Sequence, residues 1–363
     1  MSVNLETVQD VTSTDFPGHY PHEDHSWDKQ KFEDNLQIEF QTNDPYLCEF
    51  SLIGIDASVA NAFRRIMIAE LPSLAIEYCF VNNNTSIIQD EVLAQRLGLV
   101  PFRCANDGIL NYLKWFPKPA EDADDEERFA KCFDHNTIHL RLKVECTRNP
   151  DAARGEKDPR KLYNNAHVYA KDIQFLPFGK QEEVFAGENA IVPTNPDILI
   201  AKMRPGQCID IDMHAIKGIG RDHTKFSPVA TASYRLMPTI QIKEPIIGKD
   251  AEKFQGCFPK GVIGLQKIEK KDIKKNSRLK GYEGKEQAVV LNAMKDTVSR
   301  ECLRHDEFKD KVKLGRIRDH FIFQIESVGQ WNSDDLFLES IKHLRGKCVQ
   351  FRDEIKVERK KEK

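Results

Sequence analysis

The sequence has no uncharged apolar run long enough to cross a bilayer, which excludes a helical membrane span. It also lacks an excess of either charge: 54 Lys and Arg stand against 57 Asp and Glu, a net of −3. A chain that grips nucleic acid through phosphates ordinarily carries a basic surplus, so direct binding of DNA or RNA is not its expected main work. The first residues, MSVNLETVQDVTSTDF, lack the basic stretch and apolar core of a secretory signal. Paired cysteines are missing too. The nine cysteines are scattered, and with no export signal they read as free thiols in a reducing compartment. The expectation is a soluble, intracellular protein. No internal repeat stands out.

What is present is a globular composition. The chain has 363 residues, 40% hydrophobic and 31% charged, enough for two or three domains with buried cores and solvated surfaces. Residues 1–30 are polar and carry FPGHYPHEDHSWD, which reads as an extended arm. Leu36, Ile38 and Phe40 alternate with polar residues, the period of a half-buried strand, and Phe50–Ile53 supplies its hairpin partner across Asn43-Asp44-Pro45. In DASVANAFRRIMIAELP, Asp56 or Ser58 can cap a helix. Val59, Phe63, Ile66 and Met67 fall on one face of it, and Pro72 stops it. AIEYCFV is β-prone and the following Asn run reads as a turn. Ser86 and Gln89 suggest a capping box for a second helix that ends at Gly98 in a left-handed cap. The acidic segment 118–131 reads as an exposed loop or short surface helix.

Residues 137–145 alternate strictly, with Ile138, Leu140, Leu142 and Val144 inward, and Ile209, Ile211 and Met213 repeat the pattern. KGIGRDHTKFSPVA reads as a loop before the strand TASYRLMP, closed by Pro238. Residues 243–286 show little periodicity, 287–309 look helical, and 320–326 look like a strand. From Ser333 to Ile355 a seam of Phe337, Ile341, Leu344, Cys348, Phe351 and Ile355 repeats at steps of four and three, suited to packing on another helix, though one domain's core face would show the same spacing. A basic tail closes the chain over 356–363.

Residue types that could do chemistry have plainer readings beside them. His19, His22 and His25 with Glu23 and Asp24 resemble a metal cluster, but zinc needs about four ligands in fixed geometry and an arm does not supply that. Asp222-His223 and Asp319-His320 could serve acid–base catalysis, yet no nucleophile motif accompanies either. Gly218-Ile219-Gly220 lacks the rest of a phosphate loop, so backbone turning is the better reading. The Lys-rich stretch 267–280 reads as a solvated loop, a nuclear-import signal or a nucleic-acid contact. Arg64-Arg65 reads as a solvated helix face or an interface.

Three segments together resemble the alpha-like subunits of DNA-dependent RNA polymerases: DASVANAFRRIMIAELPSLAIEY, KGIGRDHTKFSPVATASYRLMP, and FIFQIESVG with the seam that follows it. FPGHYPHEDHSWD and DTVSRECLRHDEFKDKVKLGRIRDHFIF are similar to the branch that serves polymerases I and III. The resemblance, with IIQDEVLAQRLGLVPF, spans most of the chain in order. It implies an α+β fold: an alpha-type dimerisation domain built from both chain ends (31–81 and 227–355), with an inserted strand-rich domain (82–226). A third segment, 240–315, is implied to be a ferredoxin-like relic without a cluster, since Cys257 and Cys302 are too few thiolates for one.

It further implies a non-catalytic subunit, without cofactor or metal, in the nucleus, nucleolus and nucleoplasm. The inserted domain holds Cys104, Cys132, Cys146 and Cys208 without the C-x-x-C or C-x-C spacing of zinc-binding relatives, which argues against the polymerase II counterpart. The implied partners are a small alpha-like subunit, the second-largest and largest polymerase I and III subunits, and small zinc-binding common subunits, with DNA touched only indirectly. The implied interface residues are Asn61, Phe63, Arg64 and Arg65, with Phe337, Ile341, Leu344, Cys348 and Phe351 on the seam. The runners-up are the polymerase II counterpart and an independent enzyme using the Asp-His pairs.

Overall fold

The computed structural model describes residues 5–8, 27–103, 107–117, 131–153, 155–275 and 277–361. The His-rich motif of the arm before Trp27 and the acidic segment 118–130 lie outside these. Fifteen strands are described. The first eight are β1 (Leu5–Val8), β2 (Gln37–Asn43), β3 (Leu47–Ile53), β4 (Pro72–Asn84), β5 (Thr137–Glu145), β6 (Thr147–Arg148), β7 (Tyr163–Asn164) and β8 (His167–Tyr169). Then come β9 (Ile173–Phe175), β10 (Leu199–Lys202), β11 (Cys208–Ile219), β12 (Val229–Ile242), β13 (Ile263–Lys267), β14 (Glu286–Val290) and β15 (Val312–Ser327). Two long helices carry the motifs of interest: the arginine helix Ala57–Ala69 and the seam helix Ser333–Lys361.

Five strands form one sheet in the order β1-β15-β3-β2, with β12 also pairing β15. A second sheet runs β4-β11-β5-β9. The chain divides into two compact units. One holds Met1–Phe40, Phe50–Ala60 and Tyr234–Phe323; the other holds Gln41–Glu49, Asn61–Ser233 and Gln324–Lys363.

In the first unit, aromatic rings make a ladder. Phe40 lies 5.5 Å from Phe50, Phe50 stacks on Phe323 at 5.3 Å, and Tyr234 packs against Phe323 and Phe321, each at 5.4 Å. Phe50, Phe321 and Phe323 are fully buried, and rings offset in this way add to the burial of their area. The ladder opens to solvent at its end. β2 is an edge strand with Ile38 and Phe40 45% and 55% exposed, so the expected half-buried strand forms but turns its apolar residues outward. Pro238 does not close the strand it sits in. β12 runs on to Ile242, pairing among the described strands with β15 alone, and on an edge a missing N–H interrupts no ladder.

Residues 240–314 build a core of their own around Phe254, Phe308, Val262 and Ile263. The hairpin β13–β14 and the helix Lys249–Gly256 supply it. The helix expected over 287–309 is absent: β14 occupies its start, and short turns at Glu301–Arg304 and Asp306–Lys309 its end. Cys302 and Cys257 are buried in this core, and desolvation pushes the Cys302 thiol up to about 12.

In the second unit, β5 keeps the predicted alternation: Ile138, Leu140, Leu142 and Val144 are buried. β11 lies between β4 and β5, and its polar side is covered as well. Asp210 is buried and accepts from Arg141 Nε and Nη2 at 3.1 and 3.0 Å. His214 is buried beside His139, and burial, with His139 adding to it, drives its pKa down to about 4. The Asn run expected as a turn is the end of β4, since Asn83 and Asn84 pair with Asp210 and Ile209. The next helix starts at Asp90, not near Ser86; Ser86 bonds Asn84 and Ile88 instead. Its Gly98 is not left-handed; the C-cap is Leu99 in right-handed geometry.

The glycines of KGIG answer a packing need. A Cβ on Gly218 would strike the Phe226 ring, and one on Gly220 would run into the Ile68 carbonyl oxygen. Arg221 N donates to Ala69 O at 2.9 Å, which docks this segment on the end of the arginine helix. Lys217–Ile219 belong to β11, so the expected loop is shorter than it reads.

Candidate functional site

The arginine helix begins because Asp56 can cap it. Its Oδ1 accepts from Ser58 N at 2.8 Å and from Ser58 Oγ, and these bonds hold the carboxyl below its ordinary range. The helix ends where Glu70 and Leu71 bond back to Ile66 O and Pro72 opens β4. Ala60, Phe63, Ile66 and Met67 form its buried face. Val59, expected among them, is 38% exposed in the first turn.

Asn61 and Arg64 are partly buried and bonded together: Asn61 Oδ1 accepts from Arg64 Nε at 3.1 Å and Nη2 at 2.9 Å. The amide fixes one edge of the guanidinium and leaves its other N–H groups free to turn outward. Arg65 is exposed. Neither arginine makes an ion pair among the described residues.

The seam helix starts under close control. Ser333 N donates to Pro45 O at 3.0 Å and Ser333 Oγ to Asp44 O at 2.6 Å. Leu336 and Phe337 are buried, and Phe337 meets Phe63 edge to face at 5.3 Å. Nearly two and nearly three turns further on, His343 Nε2 and Lys347 Nζ lie 3.0 and 2.7 Å from Glu70 Oε2. Burial works to raise the Glu70 pKa, but the two cationic partners outweigh it and hold the carboxyl below its ordinary value.

Between and beyond these contacts the apolar seam is largely open. Ile341 is 37%, Phe351 65% and Ile355 40% exposed; Leu344 is half-buried and Cys348 exposed. Leu338, Val349 and Val357 are exposed too. The helix does not stop at Ile355 but continues to Lys361, through most of the expected tail. From Ile341 to Ile355 the bare stripe runs for about 21 Å at the rise of an α-helix.

The structure therefore joins Phe63 to Phe337, covers Leu344 in part and leaves Ile341, Cys348 and Phe351 exposed. Glu70, His343 and Lys347 escaped the sequence reading. The spacing of His343 and Lys347 puts them on one helix face, but nothing in it reveals an acid just past the end of another helix.

In the Asp-His pairs the described bonds are local ones. His223 Nδ1 accepts from Lys225 N at 3.1 Å and caps a short turn, while Asp319 O accepts from Gly54 N at 2.8 Å.

A long helix that is half anchored and half bare is what a dimerisation module presents. The RNA polymerase Rpb3/Rpb11 dimerisation domain matches residues 49–348. The chain belongs to this family. The matched span of the Rpb3/Rpb11-type domain contains the whole arginine helix and the seam up to Cys348. Among curated relatives, the chain is 49% identical over 348 residues to the Saccharomyces cerevisiae DNA-directed RNA polymerases I and III subunit RPAC1, covering 96% of each. It is 45% identical to the human subunit of the same name, over 96% of this chain and 92% of that one. The Dictyostelium discoideum RNA polymerase II subunit rpb3 is 27% identical over 83% of this chain and 88% of its own length.

Proposed function

We propose that this chain is the larger alpha-like subunit shared by nuclear RNA polymerases I and III, acting in assembly rather than in catalysis. The observation that carries the reading is the uncovered stripe from Ile341 to Ile355 on a helix whose first turns are already locked into the core. In a dimerisation-domain family such a stripe calls for a different polypeptide, because a bare apolar face of this length favours association. The smaller alpha-like subunit is the proposed occupant. The identities of 45–49% to relatives named for polymerases I and III, against 27% for a polymerase II subunit, support the shared assignment.

In this reading the dimerisation domain draws on 31–81 and 227–355, the inserted domain is 82–226, and 240–315 is the ferredoxin-like segment; the separate core of 240–314 supports that last division. Arg64 and Arg65 face the second-largest subunit, with the largest joining afterwards and small zinc-binding common subunits alongside. DNA is reached only through the assembly, whose transcripts are rRNA, 5S rRNA and tRNA, in nucleolus and nucleoplasm. The test is affinity purification of the tagged chain. The small alpha-like subunit and the large subunits of both polymerases are expected to come with it. Recovery as a lone monomer would overturn the reading, and recovery with polymerase II subunits alone would favour the runner-up.

A further inference from the structure

A second surface in the same unit lies away from the seam. Three chain segments enclose a cleft of about 420 Å³: Tyr46 beside the β2–β3 turn, Arg103 with Pro193 and Thr194, and Gly329 with Trp331 just before the seam helix. Its walls are firmly built. Arg103 N donates to Val192 O and Thr194 N to Pro101 O, both at 2.9 Å, so the two segments run as a pair. Ser327 N donates to Tyr46 O at 2.9 Å, and Gly329 N to Ser327 Oγ at 2.9 Å. Gly329 has φ +96°, and a Cβ there would lie 2.9 Å from the Tyr46 ring and 3.2 Å from Thr194. The cleft therefore depends on glycine at that point for its shape.

The groups left unmatched are mostly of one kind. Trp331 is buried, and its Nε1–H meets no acceptor among the described residues. Arg103 is exposed, and its guanidinium has no ion pair or hydrogen bond among them. Tyr46 offers a ring that is 58% exposed, and Pro193 adds an apolar wall. An exposed cation beside an exposed aromatic ring and a proline asks for a ligand that brings negative charge next to apolar surface.

We propose that this cleft docks an extended segment of another polypeptide that carries a carboxylate beside a proline or other apolar side chain. The carboxylate pairs with Arg103, whose planar fork suits it. The apolar side chain lies against the exposed Tyr46 ring and Pro193. Tryptophan, tyrosine and arginine are the residues that most often dominate such contacts, and aromatic-lined grooves are a recurrent way of holding proline-bearing strands. A nucleic acid strand fits less well, since it brings a charge with every nucleotide and needs a track of cations, while this cleft has one arginine. The proposal rests on the reading that the chain works within a multi-subunit assembly.

The test places p-benzoylphenylalanine at Tyr46 of the tagged full-length chain, purifies its native complex, irradiates it and maps the cross-linked peptide. The expected product is one segment of a different polypeptide with Asp, Glu or a chain terminus within three residues of a proline or apolar side chain. Arg103→Glu in the same background is expected to cut the cross-link yield at least tenfold while the large subunits still co-purify. Cross-links confined to this chain or to a second copy, cross-links to nucleic acid, a segment without a carboxylate, no cross-link, or a yield indifferent to Arg103→Glu would each overturn the proposal. Loss of the polymerase subunits from the parent protein's complex would sink the polymerase reading instead; the cleft is then judged by the same chemical criterion on whichever chains come down.

Discussion

Phe63 and Phe337 meet edge to face at 5.3 Å, and through them the arginine helix sets where the seam helix begins. The two rings are 9% and 5% exposed, and their residues are 274 positions apart in the chain (337 − 63). This contact, with Glu70 reaching His343 and Lys347, separates the part of the seam helix that belongs to the fold from the part that is offered outward.

Truncating either ring is expected to damage the chain itself. Phe337→Ala or Phe63→Ala creates a core cavity and costs about 3–5 kcal/mol. The double variant is expected to cost less than the sum by about 0.5–1.5 kcal/mol, the worth of an aromatic pair beyond its area. Urea unfolding of the four proteins completes the cycle, and strict additivity would show that the rings do not interact.

Phe351 is expected to behave in the opposite way. It is 65% exposed, so Phe351→Glu leaves the unfolding free energy within about 0.5 kcal/mol of the parent. Recovery of the small alpha-like subunit in co-expression is expected to fall at least about tenfold, equivalent to about 1.4 kcal/mol. Undiminished recovery would place the partner elsewhere.

Arg64→Glu is expected to keep the alpha-like pair and lose the second-largest subunit in a pull-down. Asn61→Ala tests how that arginine is aimed. Freed from the Asn61 carbonyl, the guanidinium must be ordered at binding, and affinity is expected to weaken by about 1 kcal/mol without loss of the pair. If Arg64→Lys binds as well as the parent, bidentate recognition is ruled out.

Glu70 carries a pH signature. Its folded pKa lies below the ordinary 4.5, so its contribution is complete above that value and fades as pH falls through the lower, folded one. The stability difference between parent and Glu70→Gln is expected to be largest near neutrality and to shrink on acidification below pH 4.5. It should be about 1 kcal/mol or less, because the Lys347 side chain is 52% exposed and solvent screens the pair. Urea midpoints at neutral pH and under acid conditions measure it.

Gly220→Ala is expected to destabilise by about 1–3 kcal/mol, since the new methyl meets the Ile68 carbonyl and backbone has to move. Gly206→Ala, where a Cβ meets open space, tests backbone strain alone at φ +88°. A Gly220 variant no worse than the Gly206 variant would show that the close approach is not needed.

Period was the most legible feature. Strand β5 reads directly from its alternation, because one side of it is solvated and each substitution of side shows in the residue type. The seam's spacing was equally plain, though spacing alone could not say which half would be covered; that depends on Phe63 and Glu70, contributed from a distant part of the chain. Pro238 misled because a proline ends a central strand but not an edge strand, and position in a sheet is a tertiary fact. The expected helix over 287–309 failed where β14 found a partner in β13, a pairing that local preference cannot see. The glycines of KGIG looked like turn residues, yet they are there to admit Phe226 and Ile68.

The anchoring of the seam helix at Ser333, Phe337, His343 and Lys347 has a bearing on how quickly and how tightly a second subunit can join. Its azimuth and tilt are set in advance by non-covalent contacts with distant parts of the same chain, so a newcomer meets a rigid rail rather than a chain that must coil as it docks. The entropy of ordering that rail has been met during folding, which leaves more of the contact energy to appear as affinity.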